Sequence, residues 1–381
     1  MTLMDKETDF ISNQKKTLYT MRLLAQIAEK FGWAIGGFAA ANALAGPVGI
    51  SLFGLMMVLF ASAQTTLLRL LKINLGASHI RIALILRVAS FGLLALASWL
   101  DNFPLMLLGS AFSGLFVGLF WSTFYKFKNG SIEGWFLLEK TMGMVLTILS
   151  GLIVAGCDTT IVFVVSMIAS TCSYVTTFSL ASQSLNVDSD ENTIAIFQDK
   201  SSIQIAATLS ILEGILFAMV VMTRRLVVLT ETIVIPGLSG ILSETLFIAA
   251  AGFLGALFTH YSKERVHFPI RLYCGLTICM IGALMACTGI TEYWIVGLVI
   301  LSIGLSIIFP LTHSSVRELL GDSHHAMEGF RESWRNPGRL VGSLVAVWLW
   351  LTFESISMPF IIALALIIAY GRLSHDRLNI S

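Results

Sequence analysis

Apolar stretches long enough to cross a membrane recur from one end of this chain to the other. Each is about 18–25 residues long, the length that a helix needs to span a hydrocarbon layer of about 30 Å. Lipid offers no partners to free backbone N–H and C=O groups, so each stretch is predicted to be a helix. The twelve predicted spans are 20–45, 49–71, 79–100, 104–126, 136–156, 159–181, 203–223, 234–258, 268–289, 293–313, 336–353 and 356–372.

Charged residues are too scarce for a soluble protein of this length. Only 12% of the 381 residues are Asp, Glu, Lys or Arg, and 56% are hydrophobic. In a typical soluble domain about 25% of the residues are charged. We therefore expect an all-α, polytopic membrane protein with about twelve transmembrane helices.

Basic residues are concentrated in the connections on one side of a twelve-span chain. The opposite connections carry mainly acidic residues, with Arg224 and Arg225 as the exception. Basic connections stay in the cytoplasm, so both termini are predicted to be cytoplasmic. The short loops favour an integral multi-pass protein of the bacterial inner membrane. The basic residues on the predicted cytoplasmic side are Lys6, Lys15, Lys16, Arg22, Arg69, Lys72, Arg81, Lys126, Lys128, Lys263, Arg265, Arg271, Arg317, Arg372 and Arg377.

Two segments recur at about half the length of the chain. EGWFLLEKTMG, from Glu133, aligns with EGFRESWRNPG, from Glu328. LLRLLKINLGASHIRIALIL, from Leu67, aligns with LFTHYSKERVHFPIRLYCGL, from Leu257. Both pairs fall at equivalent connections of two six-helix halves, which indicates a duplication. The predicted domains are a cytoplasmic tail (1–19), a six-helix bundle (20–181), a polar cytoplasmic linker (182–202), a second six-helix bundle (203–372) and a cytoplasmic tail (373–381).

This organisation resembles the major facilitator superfamily of transporters, with no subfamily assigned. The family's basic loop after the second span is partly present, since Gly76 and Arg81 are kept without an acidic residue. The copy after the eighth span keeps Gly255, Lys263 and Glu264 in looser spacing. The resemblance implies a 6+6 pseudo-repeat that binds substrate between its halves and alternates by rocking. It implies secondary active transport of a small molecule by alternating access, coupled to protons.

Ionisable groups inside a span cost about 2.5–3.5 kcal/mol each, which makes each one a functional candidate. Glu213 lies near the middle of the seventh span, where burial favours the neutral carboxyl of a proton carrier. Its alternative role is a hydrogen-bonded packing group. Glu29 and Lys30 are adjacent in the first span and cannot face the same side, so at most one is expected to reach a substrate cavity. Their alternative role is an interfacial pair that reaches towards the cytoplasmic surface.

Five further side chains complete the predicted substrate and coupling cavity. Trp121 and Tyr125 are four residues apart and share a face, as a wall for a flat or cationic ligand or as part of an interfacial aromatic belt. His313 can titrate near neutral pH or be an ordinary hydrogen-bonded residue. Asn42 lines the cavity or joins two helices. The full set is Glu213, Glu29, Lys30, Trp33, Asn42, Trp121, Tyr125 and His313.

A second group of charges is predicted to form a cytoplasmic gate. Arg331, Arg335 and Arg339 are spaced by four and share a face at the start of the eleventh span, with Glu332 beside them. Glu139 and Lys140 occupy the matching start of the fifth span. By the resemblance, these starts abut the connections that carry Arg81 and Arg271, and charge-assisted contacts between them close the inside. The alternative is anchoring by positive charge. Arg87 and Glu244 are assigned to ion pairing within a bundle.

Motifs of several enzyme classes are missing from the sequence. It contains no GxxxxGK[ST], no HExxH and no GxSxG, so we expect no enzyme, no catalytic residue, no metal site and no cofactor. The glycine pairs Gly32/Gly36 and Gly114/Gly118 predict close helix packing. The expected partners are a small-molecule substrate, membrane lipid and coupled protons, without nucleic acid, and the expected state is a monomer. Two other functions stay open: a lipid flippase or scramblase, and a non-transporting receptor or assembly protein on the same fold.

Overall fold

In the computed structural model the chain forms a bundle of long helices. The structure describes residues 17–71, 73, 75–124, 132–179, 200–230, 240–263, 265–320, 324–353, 355 and 357–378. Every regular element within these ranges is helical. Eight helical stretches of this part of the chain are long and apolar enough to cross a membrane. The protein is therefore an integral, multi-pass, all-α membrane protein, as the composition predicts.

The first helical run, Thr17–Leu70, contains a break near its centre. The backbone leaves the helical conformation at Ala45 and at Gly46, whose φ is +59°. Glycine adopts positive φ without a steric cost, and the following Pro47 has no N–H to continue the hydrogen-bond ladder. The break falls between the predicted spans 20–45 and 49–71, and we call the helical parts before and after it α1 and α2. Within α1, the segment Glu29–Gly37 is a π-helix.

The remaining helices follow the order of the predicted spans. They are α3 Ala77–Trp99, α4 Phe103–Phe124, α5 Ile132–Gly156, α6 Thr159–Thr176, α7 Lys200–Thr230, α8 Gly240–Ser262, α9 Phe268–Ala286, α10 Thr291–Leu320, α11 His324–Phe353 and α12 Met358–Leu378. Polar residues begin two of them: Asn102 Oδ1 accepts from the N–H of Leu105 at the start of α4, and Asp158 Oδ1 accepts from that of Thr160 at the start of α6.

Two of the helix starts that differ from the prediction lie in charged or polar sequence. Helix α11 begins at His324 and not at residue 336, and α7 begins at Lys200, inside the predicted linker 182–202. Both errors have the same cause. A hydropathy window ends where charged residues begin, whereas a helix continues through them when the fold supplies partners for the charges.

Contacts between the first six helices and the last six concentrate in a few pairs. Helix α2 packs along α11, α5 packs along α8, and α2 also contacts α7. If each helix of one half is matched to the helix six places away in the other half, α2 corresponds to α8 and α11 corresponds to α5. The pair α2/α11 is therefore equivalent to the pair α8/α5, which agrees with the predicted pseudo-repeat. The halves thus meet through equivalent helices, and the space between these pairs is the place to look for a site.

Glycines bring several helices to backbone contact. A Cβ added at Gly114 of α4 would lie 2.2 Å from the carbonyl oxygen of Met57, and one at Gly32 would lie 2.2 Å from the Phe91 ring. The prediction of close packing at these glycines is confirmed. The same device joins α7 to α11, because a Cβ at Gly338 would lie 2.3 Å from the carbonyl oxygen of Ile211.

Candidate functional site

A buried carboxylate of α7 is held by two arginines of α11. The residue is Glu213, which is only 1% exposed. Arg331 donates from Nη2 to Oε1 and Oε2 of Glu213, at 2.7 and 2.8 Å, and from Nε to Oε2 at 3.2 Å. Arg335 Nε lies 3.1 Å from Oε1, close enough for an ion pair although its N–H is not aimed at that oxygen. One carboxylate thus faces two cations in the interior.

A second carboxylate of the same network lies on α11 itself. Arg335 donates from Nη1 to Glu332 Oε1 at 2.7 Å, and Arg339 Nη1 lies 3.5 Å from Glu332 Oε2. Arg339 Nη1 also donates to Asn336 Oδ1 at 2.8 Å. These contacts of Glu332 run along its own helix, and the predicted pairing of Glu332 with another element stays a prediction.

His313 of α10 closes the network from the other side. Its side chain is buried, and its Nδ1 lies 3.1 Å from Arg331 Nη1. A guanidinium group only donates hydrogen bonds, so Nδ1 accepts and this contact fits the neutral tautomer with its proton on Nε2. We call Glu213, His313, Arg331, Glu332, Arg335 and Arg339 the arginine–glutamate cluster.

The cluster lies inside the bundle, several turns beyond the start of α11. Because α11 begins at His324, Arg335 is about 16 Å along the helix axis from its start. Glu213 lies near the middle of α7. The predicted gate role of Arg331, Arg335 and Arg339 stays a prediction, and the structure adds that their guanidinium groups meet buried carboxylates. Charges so deep are tolerated because each arginine finds a carboxylate and each carboxylate finds arginines, which offsets part of the cost of desolvation.

A cavity of about 160 Å³ adjoins the cluster between the two halves. On one side it is bounded by α1–α4 and on the other by α7 and α11. Its walls are Glu29, Trp33, Phe38, Gly54, Met57, Val58, Arg87, Ser113, Val117, Trp121, Phe217, Ala218, Val221, Met222, Arg339 and Ser343. Arg339 belongs to both the cavity and the cluster, so the two form one continuous site.

Two arginines of the first half contribute to this site. Arg22 stacks on the ring of Trp121 at 3.9 Å, and its Nη1 lies 3.9 Å from Glu29 Oε2. Arg87 is 1% exposed, donates to the carbonyl oxygen of Ala25 and covers the ring of Phe116 at 4.1 Å. Arg87 therefore lines the cavity, beyond the bundle-internal role that the sequence suggested. The sequence feature that could have identified Arg87 as a cavity residue is its position as a cation in the middle of an apolar span.

The other cavity candidates take different positions. Of the adjacent pair in α1, Glu29 lines the cavity, whereas Lys30 approaches α5 at Gly143 and its carbonyl oxygen accepts from Ser150. One member of the pair reaches the cavity, as expected from the helix geometry. Asn42 is half-buried near the break after α1. Tyr125 lies outside the described residues.

The remaining gate candidates lie away from the cluster, or their side chains lie outside the described part of the chain. Arg81 points to the chain after α6, where Nη2 donates to the Thr177 carbonyl oxygen at 3.4 Å. Arg271 is buried beside the ring of Phe268, at the start of its own helix. Glu139 and Lys140 lie in the early turns of α5, and their side chains are outside the part of the chain that the structure describes. Their role in a gate stays a prediction.

Comparison with solved structures identifies the fold. The human organic anion transporter MFSD10 (TETRAN) superposes with a TM-score of 0.69 at 15% sequence identity, over 94% of this chain and 98% of that chain. The E. coli fucose:proton symporter FucP gives 0.64 at 13% identity, over 95% and 98%. The nucleoside transporter NupG gives 0.67 at 10% identity, over 93% and 98%. No protein-family model matches the sequence, and a search of curated proteins found no match.

Proposed function

From the major facilitator fold, shown by these superpositions, we propose that the protein is a secondary active transporter. It moves a small molecule across the membrane by alternating access and couples this movement to protons. The observation that carries the proposal is the cavity between the two halves together with the charged cluster that it adjoins. The compared structures belong to transporters of an organic anion, of fucose with protons and of nucleosides. Transport without chemical conversion is the activity that this likeness favours.

Contacts at the two ends of the cavity supply the elements that would open in turn. Near the end of α2, the Arg69 guanidinium stacks on the ring of Trp334 of α11 at 4.1 Å. On the other side, Arg225 of α7 lies 5.3 Å from the ring of Phe38 of α1. Each contact joins the first half to the second. Breaking one while keeping the other exposes the cavity to one side, which is the two-state behaviour that alternating access requires.

The arginine–glutamate cluster is the proposed site of proton coupling. A proton on Glu213 removes the negative charge that holds Arg331 and Arg335, and a proton on His313 places a second cation beside Arg331. Either event weakens the contacts between α7, α10 and α11. Because Arg339 connects the cluster to the cavity, protonation changes the surroundings of the substrate. We place both termini in the cytoplasm of a bacterial cell and expect a monomer in its inner membrane.

Accessibility of a cavity position from both sides tests the proposal without knowledge of the substrate. Val221 lines the cavity and is half-buried. In a background whose native cysteines are replaced by serine, Val221→Cys should react with a membrane-impermeant thiol reagent in right-side-out vesicles and in inverted vesicles. The cysteine-free protein is the control for background labelling. Labelling from one side only, at every pH tested, would contradict alternating access.

A further inference from the structure

Several buried polar atoms around the cavity have no hydrogen-bond partner among the described residues. They are Trp33 Nε1, Arg87 Nε, Arg339 Nε and Ser343 Oγ. Three of the four can only donate. A buried donor without an acceptor is unfavourable. All four atoms belong to residues that line the cavity, so a ligand rich in acceptors would complement them.

The charges that line the cavity point to a negative ligand. Arg87 comes from the first half and Arg339 from the second, and the one carboxylate of the described lining is Glu29. The charge of Glu29 is already offset by Arg22, whose Nη1 lies 3.9 Å away. Arg339 shares Glu332 with Arg335 and keeps only the longer contact of 3.5 Å. The cavity therefore presents an excess of positive charge to its occupant.

The shape and the apolar walls limit the size of the ligand. Aromatic rings of Trp33, Phe38, Trp121 and Phe217 line the cavity, and Phe38 meets Trp33 edge-on at 5.5 Å. The volume of about 160 Å³ is close to the roughly 150 Å³ of an apolar cavity that holds benzene. Sites for drug-sized ligands occupy about 300–1,000 Å³. A single ring fits this space, whereas a larger ligand needs the cavity to open.

We propose that the cavity binds an organic anion made of one aromatic ring and one carboxylate-like group. Arg87 and Arg339 hold the acidic group from opposite halves, with hydrogen bonds from Ser343 and Trp33, and the ring packs against the aromatic walls. An anion held by both halves is bound best when the halves are together, so the ligand favours the closed cavity. The inference that this ligand is also the substrate rests on the proposed transport function. The inference that the cavity binds this ligand does not.

Three ligands of nearly equal shape test the charge preference directly. Benzoate, benzamide and benzamidine share one ring and are anionic, neutral and cationic. Titration calorimetry on the purified, full-length protein in detergent should give a dissociation constant for benzoate at least about tenfold below that for benzamide. Benzamidine should bind more weakly still. Tighter or equal binding of benzamide or benzamidine overturns the proposal, and so does a folded protein that does not bind benzoate.

Variants then assign the binding to the named residues. Arg339→Gln should weaken benzoate by about tenfold or more and leave benzamide nearly unchanged. Arg87→Gln should act in the same direction, and Ser343→Ala gives a third, milder test if an arginine variant fails to fold. The control is Arg372→Gln, at an exposed position near the end of α12, which should bind benzoate like the wild type. Unchanged benzoate binding in all three cavity variants contradicts this assignment.

Two further comparisons distinguish a soluble anion from an anionic lipid, and ligand binding from transport. Anionic lipid offers similar acceptor chemistry, so vesicles of phosphatidylglycerol and of phosphatidylcholine are compared as competitors. If phosphatidylglycerol stabilises the protein and benzoate has no effect, the proposal of a soluble anion is overturned in favour of a lipid headgroup. Benzoate binding combined with one-sided labelling of Val221→Cys supports the anion site and contradicts transport. Two-sided labelling with a preference for benzamidine supports transport and contradicts the anion site.

Discussion

At the residue scale, the partners of Glu213 decide what its charge does. Burial in an apolar span favours, by itself, a neutral carboxyl. Within 3.2 Å, however, Glu213 meets guanidinium nitrogens of Arg331 and Arg335. Both guanidinium groups lie within ion-pair distance of the carboxyl oxygens. A role as proton carrier therefore requires the ion pairs to open when the proton arrives, which ties protonation to movement of α11.

Removing the charge of Glu213 should destabilise the protein. Glu213→Gln leaves two buried guanidinium groups without their shared carboxylate, and breaking a buried ion pair by changing one partner costs about 3–5 kcal/mol. The thermal unfolding midpoint in detergent should fall clearly. Glu292→Gln, at an exposed position in the first turn of α10, is the matched control and should change little. Equal midpoints for both variants would show that the cluster contributes nothing to stability.

The same substitution should remove a pH response. If protonation of Glu213 opens the cluster, labelling of Val221→Cys differs between acidic and neutral pH because the population of the two states shifts. Adding Glu213→Gln fixes position 213 in an uncharged form, so the labelling rates at the two pH values should become alike. The rates are compared after correction for the pH dependence of the thiol, measured on a small-molecule thiol. A pH response that persists in full would assign coupling to another group, with His313→Gln as the next variant.

At the element scale, α11 shows how a charged helix is stabilised by its neighbour. Its first half carries the arginines of the cluster, so it is not among the helices of the described chain that are apolar enough to be recognised as a span. Its arginines pair with Glu213 of α7, and glycines on both helices allow close approach. A Cβ at Gly214 would lie 2.2 Å from the Arg335 carbonyl oxygen, and one at Gly342 would lie 2.3 Å from that of Ile215. Ion pairing and backbone packing thus act on the same helix pair.

A methyl group at this contact should disrupt it. Gly338→Ala places Cβ 2.3 Å from the carbonyl oxygen of Ile211, and relieving such a clash costs about 1–3 kcal/mol. The thermal midpoint should therefore fall, although alanine is the better helix former. Gly252→Ala in α8 is the control, because its nearest neighbour is Ser306 Oγ at 3.5 Å. That variant should keep or raise the midpoint, and a raised midpoint for Gly338→Ala would refute tight packing of α7 on α11.

At the scale of the whole molecule, a contact between a cation and an aromatic ring joins the two halves at the predicted cytoplasmic end. Helices α2 and α11 meet there, with Arg69 stacked on Trp334. A cation on a tryptophan ring contributes about 0.5–1 kcal/mol at an exposed site and about 2 when desolvated. A contact of this size is strong enough to favour one state and weak enough to be broken in each cycle.

Loss of this stacking contact should open that end of the cavity. Trp334→Ala removes the ring beneath Arg69, so labelling of Val221→Cys from the cytoplasmic side should become faster, by about fivefold for a change of 1 kcal/mol. Labelling from the other side should slow, since the two states compete. Trp348→Ala is the control on the same helix, because Trp348 is 58% exposed on the outer surface of the bundle. Equal rates in both variants would mean that this contact does not close the cavity.

The sequence by itself predicted the spans, and their order and the charges between them resemble the fold that the superpositions show. Whether a segment spans the membrane depends on the free energy of transferring its own residues into lipid. That free energy is a local property and can be read from a window of the chain. The break at Gly46 and Pro47 is local in the same sense, whereas Gly114 marks a close-packing position whose partner, Met57, lies on another helix. Only the tertiary structure decided which charges meet. Glu213 and Arg331 are 118 residues apart, and their contact depends on how α7 and α11 pack, which no local pattern specifies. The same packing places the arginines of the cluster in the interior, and it makes Arg87 part of a cavity shared by both halves.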